Sequence, residues 1–206
     1  MIMLAYMYIT NFNMLSTLSG SVYVILGTGI IFIIIHSFFK KHELSFFKWR
    51  SGERGEKTIL GELKKLSDEY CVFYDMPIKG IGNIDFIVIG PTGVFTIEVK
   101  NHAGVIGFNG TQLTHDGKLF EEKDVMNQAM SEALHLKELL PEVSFVHSML
   151  VFSNYKASMH FGLNEIKHIT VIGKPYLMKA ITERPSIFDR KKVGEVEGKI
   201  SNFYRA

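Results

Sequence analysis

The stretch NIDFIVIGPTGVFTIEVKN, Asn83 to Asn101, reads as two short strands, IDFIVI and VFTIEV, joined at GPTG. Proline at the turn supplies a pre-set dihedral, and the β-branched and aromatic residues on either side suit a pleated sheet. A turn centred between Pro91 and Thr92 places Asp85 opposite Glu98. Side chains alternate along a strand, so Asp85, Ile87, Ile89, Val94, Thr96, Glu98 and Lys100 share one face. Phe86, Val88, Phe95, Ile97 and Val99 share the other. Apolar residues on both faces predict a strand pair covered on both sides rather than a hairpin open to water.

Working outward, GERGEKTILGELKKLSDEY (52–70) spaces Glu56, Ile59, Leu60, Leu63 and Leu66 by three or four, which predicts an amphipathic helix. CVFYDMP predicts a strand stopped by Pro77, and residues 79–83 a glycine-rich connection. GVIGF and TQLTH flank Asn109-Gly110, a hairpin signal. KDVMNQAMSEALHLKELLPE predicts a helix with Met126, Ala129, Ala133, Leu136 and Leu140 on one face. Phe145 to Phe152 and HITVIG read as buried strands, Tyr176 to Thr182 as a short helix, and Lys191 to Tyr204 as a last amphipathic helix. The order of helix, three or more strands, helix and strand predicts an α/β domain with a central mixed sheet flanked by helices.

The chain of 206 residues divides sharply in character, since all 23 Lys and Arg and all 21 Asp and Glu lie at or after Lys40. The uncharged run from Leu18 to Phe39 is long enough, as a helix, to cross a hydrocarbon layer of about 30 Å. With no basic residue before it and no small-residue cleavage site, it reads as a signal anchor rather than a cleaved leader. Lys40, Lys41, Lys48 and Arg50 follow it, so the positive-inside rule places the N-terminus outside and the globular part in the cytoplasm. The single cysteine, Cys71, excludes an intrachain disulfide. The predicted organisation is an N-terminal segment and membrane span over 1–39 (span 18–39), a basic and aromatic juxtamembrane linker over 40–51, and one domain over 52–206.

Two acids facing each other across neighbouring strands, about 5 Å apart at Cβ, repel and destabilise a sheet unless something compensates. A divalent cation held by Asp85 and Glu98 does so, and oxygen ligands of this kind suit Mg2+ or Mn2+. Lys100, two residues beyond Glu98 on the same face, can reach a water or an anionic substrate there. Such a set serves hydrolysis of a phosphodiester. Spacing alone fits equally well a solvated end of a sheet with a Glu-to-Lys contact.

GERGE in the first helix, NID before an apolar strand, PTGVFTIEVKN, the following AGVIG and the NQAMSEALHLKELL helix together resemble the nuclease-related domain, NERD, a branch of the restriction-endonuclease-like PD-(D/E)xK superfamily. The resemblance covers roughly Gly52 to Leu140. It implies an αβββαβ core, a divalent metal, and a catalytic set falling on Asp85, Glu98 and Lys100, with Asp85 and Glu98 as metal ligands. Glu56 and Gln128 match polar positions in the flanking helices and are additional candidates. The sequence departs from the superfamily pattern in having Ile84 where proline would precede the acid, and Met126-Asn127-Gln128 where Asn-Pro would open the helix.

The expected function is therefore a membrane-anchored, metal-dependent nuclease acting in DNA processing, with DNA rather than RNA as partner. The alternative is a catalytically silent nuclease-fold module that binds nucleic acid or a protein at the membrane. The weak net charge of +2 favours that alternative, because a dedicated duplex binder is usually more basic. The eight histidines provide no zinc-like spacing. His102, two residues past Lys100, is a further candidate to touch substrate, against the commoner reading of an incidental histidine at a strand end. Gly80 to Gly82 lacks the context of a dinucleotide fingerprint, and no Walker motif is present.

Overall fold

The computed structural model describes residues 29–34, 52–78, 82–120, 124–159 and 164–205. The chain divides into two compact units, Met1–Arg50 and Ser51–Ala206. In the first, residues 29–34 are helical, with Ile30 to Ile34 exposed. Most of the expected span at 18–39, and the linker at 40–51, lie outside the described residues. Among the described residues no helix is long and apolar enough to cross a membrane.

The second unit opens with helix α1 (52–63) and continues through strands β1 (Cys71–Ile78), β2 (Gly82–Gly90) and β3 (Gly93–Lys100). Three short strands follow, β4 (Gly104–Phe108), β5 (Leu113–His115) and β6 (Lys118–Leu119). Helix α2 (Val125–Leu139) and strand β7 (Val146–Phe152) complete the order of helix, three strands, helix and strand. Beyond them lie β8 (Ala157–Met159), β9 (Asn164–Ile166), β10 (Ile169–Gly173), α3 (Leu177–Thr182) and α4 (Arg190–Arg205). The main sheet runs β1-β2-β3-β7-β10-β9 and a smaller one runs β6-β5-β4-β8. Pairing is antiparallel from β1 to β3, parallel for β3–β7 and β7–β10, and antiparallel again for β10–β9, so the main sheet is mixed.

The β2–β3 register is Phe86 to Ile97, Ile87 to Thr96, Val88 to Phe95 and Ile89 to Val94, with Gly90 opposite Gly93. The turn is thus the two residues Pro91 and Thr92. Gly93 has φ +129°, a conformation that L side chains rarely adopt and glycine tolerates. The two faces divide as the alternation predicts. Ile87, Ile89 and Val94 pack with Ala133, Leu136 and Leu140 of the α2 segment and Val193, Val196 and Ile200 of α4. Phe86, Val88, Phe95, Ile97 and Val99 pack with Ile59 and Leu63 of α1 and Leu177 and Ile181 of α3. All of β3 except Lys100 is buried, as a central strand roofed on both sides must be.

Strand β2 opens at Gly82, inside the connection expected over 79–83, and helix α1 and strand β1 also differ from the sequence expectation. Helix α1 ends at residue 63 rather than near Tyr70. Lys65 N and Leu66 N bond to carbonyls three residues back, which tightens the chain into a turn. Strand β1 runs through Pro77 instead of stopping there. It is an edge strand, where a missing N–H need cost no ladder bond, and Pro77 lies opposite Asn83.

Helix α2 begins where Asp124 accepts from Met126 N at 3.1 Å and Asn127 N at 3.3 Å, satisfying donors that the first turn leaves unpaired. Ser148 Oγ of β7 donates to Ala129 O at 2.9 Å, which pins the first half of α2 to the sheet. Met126 and Ala129 of that half also pack with Ile106 and Leu113 of the small sheet and Leu150 and Phe152 of β7.

Candidate functional site

The predicted residues meet at the C-terminal end of β3. The β2–β3 ladder runs to Phe86 and Ile97 and does not include Asp85 and Glu98. Beyond it the Asp85 side chain takes over, and Oδ2 accepts from Val99 N at 2.7 Å. The carboxylate therefore sits in the ladder itself, next to Glu98.

Glu98 is 3 % exposed. Its Oε1 forms an ion pair with Lys100 Nζ at 2.6 Å, and its Oε2 is buried and finds no donor. Lys100 Nζ also donates to Gln128 Oε1 on α2 at 3.3 Å. Gln128 Nε2 in turn donates at 3.1 Å to Oε1 of Glu132, one helical turn further on. Glu132 is 1 % exposed, its Oε2 receives no N–H, and its carboxyl lies within hydrogen-bond reach of Glu98.

The electrostatics follow from packing several acids into a dry place. Burial, and then the charge of Glu98, push the Asp85 carboxyl up to about 8, against the lowering effect of the Val99 N–H. Burial and the adjoining Glu98 also hold Glu132 well above the usual carboxylate range. Glu56 is raised by burial first, then by Asp75 and Glu98, with Lys100 acting in the opposite sense.

Helix α1 approaches from the other layer and reaches this end of the sheet through Gly55. A Cβ there would lie 2.7 Å from Ser153 Oγ and 2.9 Å from Asn101 Cβ, so only glycine permits the contact. Half-buried Glu56 is thereby brought into the field of the cluster. The site thus gathers Asp85, Glu98, Lys100 and Gln128, with Glu56 at its margin. His102 faces elsewhere, its ring 5.3 Å from those of His115 and Phe120.

Glu132 is the residue that sequence reasoning missed. A signal was there: position 132 falls on the stripe of Ala129, Ala133 and Leu136, where an acid is out of character, and four residues after Gln128.

Among the described residues no group of three or more His, Cys, Asp or Glu side chains is arranged to hold a metal ion. Mg2+ does not require one, since it is commonly bound through one or two carboxylates with water and substrate phosphate completing the shell. Asp85 and Glu98 fit such a shell by chemistry. They are hard oxygen donors, crowded enough to repel, and Glu98 keeps a buried oxygen that no N–H reaches.

The model of the nuclease-related domain family, NERD, matches residues 51–153, from the start of α1 to just past β7. The chain belongs to the nuclease-related domain family. The NERD match includes Glu56, Asp85, Glu98, Lys100, Gln128 and Glu132. An uncharacterized Bacillus anthracis protein is 37% identical over 81 residues, which is 37% of this chain and 36% of that protein. The chain thus matches about a third of that relative's length. No solved structure matches the chain.

Proposed function

We propose that this NERD protein is a membrane-anchored nuclease that hydrolyses phosphodiester bonds, in DNA rather than RNA, with Mg2+ or Mn2+ as cofactor. The domain would have the restriction-endonuclease-like fold of the PD-(D/E)xK superfamily. The observation that carries the reading is the convergence of Asp85, Glu98 and Lys100 at one strand end, with a buried carboxylate oxygen left without a donor. A family relation to nucleases supports it.

Asp85 and Glu98 would hold the cation. When bound, it would supply charge neutralisation and Lewis acidity at a phosphate. The rest belongs to the chain. Lys100 Nζ, 2.6 Å from Glu98 Oε1, is placed to orient an attacking water or to meet negative charge growing on a non-bridging oxygen. Gln128 gives that ammonium a second anchor. Val99 N–H fixes Asp85 Oδ2. Glu56 adds negative charge at the rim and is an additional ligand position, directly or through water.

The uncharged run at 18–39 and the basic residues after it support the anchor and a cytoplasmic domain. The weak net charge of +2 favours a second reading, a silent nuclease-fold module that binds nucleic acid or a protein at the membrane. Cleavage of plasmid and single-stranded DNA by the full chain, with and without Mn2+, separates the two. The nuclease reading expects metal-dependent cutting that Asp85→Ala and Lys100→Ala abolish; equal cutting by both variants would remove the site assignment. No turnover, with salt-dependent DNA binding that survives Lys100→Ala, would favour the silent module.

A further inference from the structure

We infer that Glu132 is a positioning residue of the nuclease site, holding the Gln128 amide so that its carbonyl oxygen faces Lys100. The inference rests on the nuclease reading and adds to it a residue on α2 whose side chain lies between Gln128 and Glu98.

Hydrogen-bonding capacity decides which end of Gln128 meets Lys100. A lysine ammonium only donates, so Gln128 can meet Lys100 only through Oε1. A glutamine side chain can present either end, and its two orientations are nearly equal in shape. Something must fix the choice. In this structure it is Glu132, whose Oε1 takes the Gln128 Nε2 hydrogen at 3.1 Å. The spacing of four residues puts the two side chains on one helix face, one turn apart.

The links form a chain that doubles back on itself. Glu132 holds Gln128, Gln128 holds Lys100 at 3.3 Å, and Lys100 pairs with Glu98 at 2.6 Å. Glu98 and Glu132 are 3 % and 1 % exposed, so water does not replace these links cheaply. Ser148 Oγ bonds the carbonyl of Ala129, the residue after Gln128, so the helix carrying the chain is itself fixed to β7. A buried acid on an otherwise apolar stripe, flanked by Ala129, Ala133 and Leu136, contributes nothing to packing that leucine would not supply. Its use must lie in the contact it makes.

The test uses the full chain with Mn2+ and single-stranded DNA. Glu132→Leu keeps the volume and removes the acceptor. It should lower turnover by about 10- to 100-fold, the range for residues that orient a metal site's direct contacts, with Mn2+ affinity unchanged. Glu132→Gln retains an acceptor oxygen at the same reach and should restore most of the lost rate. In a Gln128→Leu background the Glu132→Leu change should have no further effect. The inference is overturned if the two changes multiply, if Glu132→Gln is as slow as Glu132→Leu, or if Mn2+ affinity collapses, which would make Glu132 a ligand instead.

A wild-type chain that cuts nothing with either ion would defeat the nuclease reading without deciding this one. Exchange of the Gln128 side-chain amide hydrogens, followed by NMR, then decides. Glu132→Leu should speed it about tenfold if Glu132 holds the amide. No change would end the proposal.

Discussion

Asp85→Asn should make the chain more stable when no metal is present, and should cancel the stabilisation that metal brings. The reasoning starts from the Asp85 carboxyl, raised from its ordinary value of 3.8 to about 8 by burial and by Glu98. A group that binds its proton more tightly folded than unfolded costs nothing below its unfolded value. The cost grows as pH rises through the interval to the folded value, and is then constant. At pH 7 the unfolded Asp85 is ionised while the folded one is protonated. At about 1.4 kcal/mol per pH interval, the ceiling on that cost is about 4 kcal/mol. Asp85 is half-buried, and part of the repulsion from Glu98 relaxes as side chains move, so about 1–3 kcal/mol is the expected gain. Asparagine bears no such cost, and its oxygen still accepts from Val99 N–H. For a chain of this size the gain corresponds to roughly 3–10 °C in Tm. Thermal melts in EDTA should place Asp85→Asn above wild type at pH 7 and 8, with the difference shrinking towards pH 4. With Mn2+ at about 100 times its Kd, wild type gains about 2.7 kcal/mol by mass action, while the variant gains little. Equal melting temperatures in EDTA, together with equal responses to Mn2+, would refute the reasoning.

Other outcomes follow from the same geometry. Lys100→Ala should reduce cleavage by at least about 100-fold while the chain still folds, checked by turnover beside a far-ultraviolet spectrum. Gly55→Ala should cost about 1–3 kcal/mol in urea denaturation, because its Cβ would lie 2.7 Å from Ser153 Oγ and 2.9 Å from Asn101 Cβ. His147 is held down at about 4 by burial and then by Arg184, whose guanidinium lies 3.2 Å from Nδ1. Its folded value is below the unfolded one, so its contribution is complete above about 6.5 and fades as pH falls towards 4. Screened by solvent, that contribution is about 1 kcal/mol, and His147→Gln should flatten the denaturation midpoint over this interval.

The hairpin was legible because its alternation is two-sided. Ile87, Ile89 and Val94 on one face and Phe86, Val88 and Phe95 on the other can be satisfied only by a roofed central pair. Its register followed from the Pro91-Thr92 turn. The grouping of Asp85, Glu98 and Lys100 was legible from the same alternation, but the way Asp85 enters the ladder was not. That depends on β2 and β3 parting beyond Phe86 and Ile97, which residue type alone does not reveal. Glu132 was lost because an acid on a helix is ordinarily solvated, and only the identity of what packs on α2 reveals otherwise. Strands β6, β8 and β9 span two or three residues each, too few for any periodicity to register.

Pro77 near the end of β1 has a consequence beyond strand length. The outermost strand lacks an N–H at that position, and Asp75 two residues earlier holds φ 53° and falls out of the pairing with β2. At the opposite margin β9 offers only three residues. Among the described residues both borders of the main sheet are thus blunted, which works against copies joining edge to edge there.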